Sequence, residues 1–172
     1  AGETVTRDIT ITITGTNDVP VISNADTTGS VTEITDGGIG EGTADLTDTG
    51  TMDFDDVDLT DVHGVTFVAQ AGGYLGAFTA VESTATTDST TSGVITWDFT
   101  VNDAAVDYLG VGESVVQKYD VTVTDSAGTT DTETVTITIN GTNDGPEISA
   151  ADTSGGVTEA IDLSADEVAN VL

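Results

Sequence analysis

Cysteine is absent from the 172 residues, which removes disulfides and thiolate-bound zinc as ways of holding a fold together. Basic residues are nearly absent too: Arg7 and Lys118 stand against 31 Asp and Glu, for a formal charge of −29. Two cations cannot neutralise that charge internally, and charge of one sign raises solubility while opposing compaction. A cation is therefore expected in the working state, and Ca2+ on oxygen ligands is the class that remains. Nucleic acid and anionic membrane surfaces are poor partners on the same ground, and neither is expected. No apolar run approaches the roughly 18 residues of a spanning helix, and the N-terminus lacks a basic-then-apolar signal pattern, so a soluble chain without membrane insertion is expected. Catalytic parts are scarce as well. His63 is the only histidine and no serine lies in a nucleophile-elbow pattern, so acyl transfer and zinc hydrolysis lack their components and no enzyme is expected.

What is present argues against disorder. With glycine added, apolar residues make up about 49% of the chain, and Leu, Ile, Val and Phe about 24%, above the disordered range of less than about 20%. The branched residues Thr, Val and Ile dominate, and their stiff side chains suit a pleated sheet better than a helix. Strict alternation marks strands at Ile9–Ile13, Tyr119–Thr124 and Val135–Ile139, with aliphatics on one face and Thr or Asp on the other. Further strands are expected at Ser30–Ile34, Ala44–Phe54, Val65–Ala69, Ala77–Val81 and Gly93–Val101, with a helical turn at Ala104–Leu109 capped by Asn102 and Asp103. About seven half-buried strands imply an all-β, immunoglobulin- or cadherin-like antiparallel β-sandwich. Trp97, Phe99, Tyr74 and Phe78 read as its core aromatics, with a sugar-stacking Trp97 as the alternative.

The chain also repeats itself. Gly15-Thr16-Asn17-Asp18 returns as Gly141-Thr142-Asn143-Asp144, Ala25-Asp26-Thr27 as Ala151-Asp152-Thr153, and Val31-Thr32-Glu33 as Val157-Thr158-Glu159, each 126 residues later. That period fits a whole domain per repeat and is too long for a solenoid turn of about 20–45 residues. Residues 1–18 are read as the last strand and linker of one unit, 19–144 as a complete unit, and 145–172 as the start of the next.

Strand direction then says which carboxylates can meet. If consecutive strands alternate, the run Asp53, Asp55, Asp56, Asp58 and Asp61 and the turn holding Asp125 and Asp131 lie at the pole where the chain enters, beside Asn17 and Asp18. Glu33, Asn102 and Asp103 lie at the other pole, facing Thr142, Asn143 and Asp144, and Glu159 repeats Glu33 one unit later. Carboxylates this close repel one another unless a cation joins them, and Ca2+ takes about 6–8 oxygens of this kind. Asp36, Asp45, Asp88 and Asp162 are read instead as turn and solvent-facing residues. Asp36-Gly37-Gly38-Ile39-Gly40-Glu41 faintly resembles a calcium-binding nonapeptide of RTX proteins but occurs once, and is read as a turn. Paired carboxylates alone would suit a glycosidase, but here they recur at unit junctions and not around a cleft.

Trp97-Asp98-Phe99-Thr100-Val101-Asn102-Asp103-Ala104-Ala105-Val106, then Leu109 and Gly112-Glu113, then Tyr119–Asp125 with Gly128, closing on Gly141-Thr142-Asn143-Asp144 and Pro146, resembles the VCBS repeat of giant Gram-negative adhesins. Asp56-Val57-Asp58, Asp61, His63, Tyr74 and Gly76 fall where that family has similar residues. The resemblance covers nearly the whole central unit. It implies a cadherin-like sandwich in long arrays of a type I secreted, extracellular protein that holds cells to surfaces and to one another in biofilms. Its partners would be the adjacent repeats and like molecules on other cells. The linker is similar to a cadherin interdomain segment but has Gly15 at the first Asp, and Val19 or Gly145 at the Asn. Two other functions fit the residues: a self-assembling surface fibre, in which Thr4–Thr14 adds to another molecule's sheet edge, and a glycan- or ice-binding module on the Thr-rich strands.

Overall fold

The computed structural model describes residues 1–87, 89–145 and 153–156, so Asp88, Glu159 and Asp162 lie outside the described residues. Among the described residues eight strands follow one another: β1 Val21–Ser23, β2 Thr28–Thr32, β3 Asp45–Asp55, β4 Gly64–Ala69, β5 Ala77–Thr84, β6 Ser92–Asn102, β7 Ser114–Thr124 and β8 Thr130–Asn140, with a 3-10 turn at Asp103–Ala105 between β6 and β7. They form two four-stranded sheets, β1-β3-β6-β5 and β2-β8-β7-β4. The chain is thus an all-β sandwich, as its alternation requires. Its pairing is mixed and not wholly antiparallel: β2 runs parallel to β8, with Val31 opposite Ile139. The reason is that β1 and β2 lie in different sheets, so the crossing between them sets β2 beside the last strand in the same direction.

One expected strand does not form. Ile9, Ile11 and Ile13 are 80–91% exposed and carry no strand pairing. They correspond to Val135, Ile137 and Ile139 of β8, which are fully buried between β2 and β7. A strand needs neighbours for its backbone groups, and here the slot shaped for this sequence already holds β8.

The core between the sheets contains Met52, Phe54, Ile95, Trp97, Phe99, Val121, Val123, Val135, Ile137 and Ile139, all at 0% exposure. Trp97 belongs wholly to that core, which excludes the sugar-stacking alternative, and its indole Nε1 donates to the Asp26 carbonyl at 2.7 Å. A buried indole N–H needs such a partner. The ring lies directly over Gly50, where a Cβ would overlap it. Gly50→Ala is therefore expected to destabilise the unit by about 1–3 kcal/mol, the usual range for overpacking. A lower urea midpoint with an unchanged slope would show it.

Two buried polar side chains fasten loops to this frame. Asp103, 0% exposed, accepts from Ile34 N and Gly42 N at 2.8 Å each, and so pins the β2–β3 connection to the end of β6. Gln117, also 0% exposed, accepts from Leu75 N and donates to the Leu75 carbonyl at 3.0 Å, holding the β4–β5 connection against β7.

Candidate metal centre

The strand directions bring acidic residues together at both poles. At the leading pole β3 ends at Asp55, β7 ends at Thr124, and the loops beyond them face each other across the end of the sandwich. Oxygens of Asp56, Asp61 and Asp125 all lie within 4.8 Å of one another. Asp56 and Asp125 are 2% and 5% exposed. Asp61 Oδ1 accepts from Ser126 Oγ at 2.7 Å, while its Oδ2 is buried with no hydrogen-bond partner. Such an orphaned oxygen is costly to bury, and it is the feature that fits this group to a cation.

The preceding linker docks on the same group. Asn17 Nδ2 donates to Asp125 Oδ2 at 2.9 Å, and Asp18 N donates to Asp58 Oδ2 at 2.7 Å. The Asn17 bond, followed by that from the Thr129 hydroxyl, brings the Asp125 carboxyl down to about 2. Asp56 Oδ1 accepts from Asp58 N at 2.9 Å, and its Oδ2 lies 2.9 Å from His63 Nε2. His63 is buried, and its other ring nitrogen lies 3.1 Å from Thr86 Oγ1, so the histidine braces Asp56 from beneath.

Other residues expected at this pole are engaged elsewhere. Asp53 accepts from Asn24 Nδ2 at 3.1 Å, Asp55 from the Ser92 hydroxyl, and Asp131 from Ile22 N at 2.8 Å. Asp53 and Asp55 belong to β3 itself, where alternation and pairing with β6 direct them away from the loop. Asp131 fastens β1 to β8.

At the trailing pole the oxygens of Glu33, Asp107 and Asp144 lie within 4.8 Å of one another. Glu33 is 3% exposed, and its Oε2 accepts from Thr142 N at 2.8 Å. Its Oε1 and the neighbouring Thr142 Oγ1 are both buried with no partner. Burial raises the Glu33 carboxyl above the ordinary range, the Thr142 N–H opposes this, and the charges of Asp144, Asp107 and Asp103 raise it further. Asp36, expected only to fill a turn, accepts from Gly145 N at 3.1 Å and so holds the outgoing linker. Asn143 Nδ2 donates to the Asp144 carbonyl at 3.2 Å, as Asn17 Nδ2 donates to the Asp18 carbonyl at 2.6 Å, so the two linkers share this local hydrogen bond.

Asn102 and Asp103 stand at this pole but spend their polar atoms on the fold. Asn102 Oδ1 caps Ala104 N and its Nδ2 reaches Asp45 Oδ1, while both Asp103 oxygens accept backbone N–H groups. Asp107 was not foreseen: it follows the 3-10 turn, and its sequence position resembles that of any acidic loop residue. The expected repeat of this site at Glu159 lies outside the described residues.

A raised carboxyl binds its proton more tightly in the folded chain than in the unfolded one. Its contribution to stability is therefore present at low pH and lost as pH rises through the folded value. Glu33→Gln keeps an acceptor for Thr142 N and removes the charge. It is expected to raise the melting temperature by a few degrees at pH 7 in chelator, measured by thermal scanning beside the parent chain.

No family model matches the sequence, and no curated protein matches it. Among solved structures, the ASH / PapD-like domain of human CEP192 (PapD-like domain 7) is similar over 83% of this chain and 99% of that one, at 12% identity and a TM-score of 0.40.

Proposed function

We propose that this chain is a calcium-stiffened spacer module, a VCBS-type repeat of a large secreted bacterial adhesin, working outside the cell at its surface. The observation that carries the reading is that both copies of Thr-Asn-Asp, Thr16–Asp18 and Thr142–Asp144, dock on a carboxylate group that contains a buried, unpartnered oxygen. Because the two linkers are the same motif, a linker inside an array would receive both sets of ligands. Glu33, Asp107 and the linker itself would come from the trailing pole of one unit, and Asp56, Asp58, Asp61 and Asp125 from the leading pole of the next. Carboxylates, a hydroxyl and amide oxygens at one junction are the hard donors that calcium selects.

Calcium at such a junction couples orientation to occupancy, since the ion gains its full oxygen set in one relative arrangement of the two units. Without it the carboxylates repel and the linker hinges. An array then changes from a loose chain, suited to export, to a rod that holds an adhesive tip away from the cell. Small-angle scattering on three consecutive units is the test: calcium is expected to lengthen the maximum dimension and narrow the distribution of shapes. Equal dimensions in calcium and chelator would remove the stiffening role.

A self-assembling surface fibre is the second reading, favoured by the exposed, strand-patterned Ile9, Ile11 and Ile13. Sedimentation would reveal it as concentration-dependent growth that does not depend on calcium.

A further inference from the structure

Asn140-Gly141 is the one Asn-Gly pair in the sequence, and it stands where β8 passes into the outgoing linker. Glycine has no Cβ to shield its nitrogen, so in an unfolded chain the Gly141 nitrogen can approach the Asn140 side-chain carbonyl freely. The reaction that follows is balanced within the chain and water. The Gly141 N–Asn140 Cγ bond forms, the Cγ–Nδ2 bond breaks, and ammonia leaves with the proton from Gly141 N. Water then opens the cyclic imide at either carbonyl, giving Asp or its β-linked isomer.

The fold blocks each part of that path. Asn140 Nδ2 donates to Ser30 Oγ at 3.0 Å and to the Val31 carbonyl at 3.2 Å, which turns the amide toward β2. Gly141 N donates to the Glu113 carbonyl at 3.1 Å. The Asn140 carbonyl accepts from Glu33 N at 2.9 Å, and Asn140 pairs with both Thr32 and Ser114, so its backbone is held extended. Neither residue is incidental. A Cβ at Gly141 would overlap the Leu109 carbonyl, and Asn140 joins the edge strand β2 to β8.

We infer that Asn140 is a latent deamidation site that the folded unit silences, so that time spent unfolded is recorded there as a permanent change. The product is damaging because of its position. An Asp at 140 cannot donate to the Val31 carbonyl. The β-linked isomer adds a main-chain carbon at the point where Glu33 N is bonded and where the linker leaves for Thr142. A unit aged while unfolded therefore returns with a misplaced Glu33 and a loosened trailing pole. The same position in the leading copy of the motif is Thr14, which has no amide to lose.

The test uses the whole chain, held folded in buffer or unfolded in concentrated urea at mildly alkaline pH, with peptide mapping by mass spectrometry over time. In urea, Asn140 is expected to be the first amide converted to acid. In the folded chain its conversion is expected to be slower by on the order of a hundredfold or more, set by the opening equilibrium of that strand end. After return to buffer, the urea-aged chain should melt below a fresh one, and Asn140→Thr should abolish that ageing loss. Equal rates in the two states would overturn the inference, as would earlier loss of another amide in urea or an aged chain that melts like a fresh one. Urea replaces chelation as the means of unfolding, so the outcome does not depend on whether calcium binds.

Discussion

The melting temperature of the chain is expected to rise by on the order of 15 °C between chelator and calcium held about a thousandfold above its dissociation constant. At that excess a ligand that binds only the folded state contributes about 4 kcal/mol. In a domain of this size each kcal/mol moves the midpoint by roughly 3–6 °C. The unfolded chain competes little for the ion, because Asp56, Asp61 and Asp125 converge only when β3 and β7 end at the same pole. Magnesium at the same concentration should do much less, since it demands a tight octahedron and gives up its water reluctantly. A melting temperature that does not move with calcium would remove the metal from the account altogether.

Replacing Asp56 and Asp58 together with Asn is expected to erase most of that calcium-dependent rise, while Asp98→Asn leaves it in place. Asp56 places a carboxylate oxygen within 4.8 Å of those of Asp61 and Asp125 at the buried pole, and Asp58 receives the linker through Asp18 N. Asp98 is exposed on β6, away from both groups. Asparagine preserves size and one oxygen at each position but removes two charges from the group that must offset the ion's dehydration. Calorimetric titration measures the affinity directly, and thermal scans in chelator show whether the double variant still folds. Equal loss of binding in the two variants would mean that calcium sees only the diffuse charge of −29.

The two poles need not respond alike. The leading pole holds its linker through hydrogen bonds from Asn17 to Asp125 and Thr129 and from Asp18 to Asp58, places a histidine beneath Asp56, and keeps one unpartnered buried oxygen, on Asp61. The trailing pole keeps two unpartnered buried oxygens, on Glu33 and Thr142. Without a cation the trailing pole therefore carries the larger penalty. The Glu33→Gln measurement in chelator reads that penalty by itself.

Local pattern by itself determined the strands. Alternation of branched aliphatics with Thr and Asp is a property of neighbouring residues, and it marked the C-terminal halves of β7 and β8 while missing their first five residues; the weaker patterns of β3 to β6 placed those strands to within three residues, because each strand must bury one face. The repeat likewise marked both linkers, since two copies of Gly-Thr-Asn-Asp need no tertiary context to be recognised. Asp residues carry no comparable local mark. Those at 53, 55, 56, 58 and 61 look alike in sequence, yet only the last three stand at the linker group, because the first two belong to β3 and pair across to β6. The parallel pairing of β2 with β8, the bracing of Asp56 by His63, the loop bonds of Asp103 and the recruitment of Asp107 all join residues at least seven positions apart. Only the closed sandwich decided them. The same holds for Ile9–Ile13, whose sequence is that of a buried strand and whose place is filled by its repeat, because a strand exists only where neighbouring strands supply its hydrogen bonds.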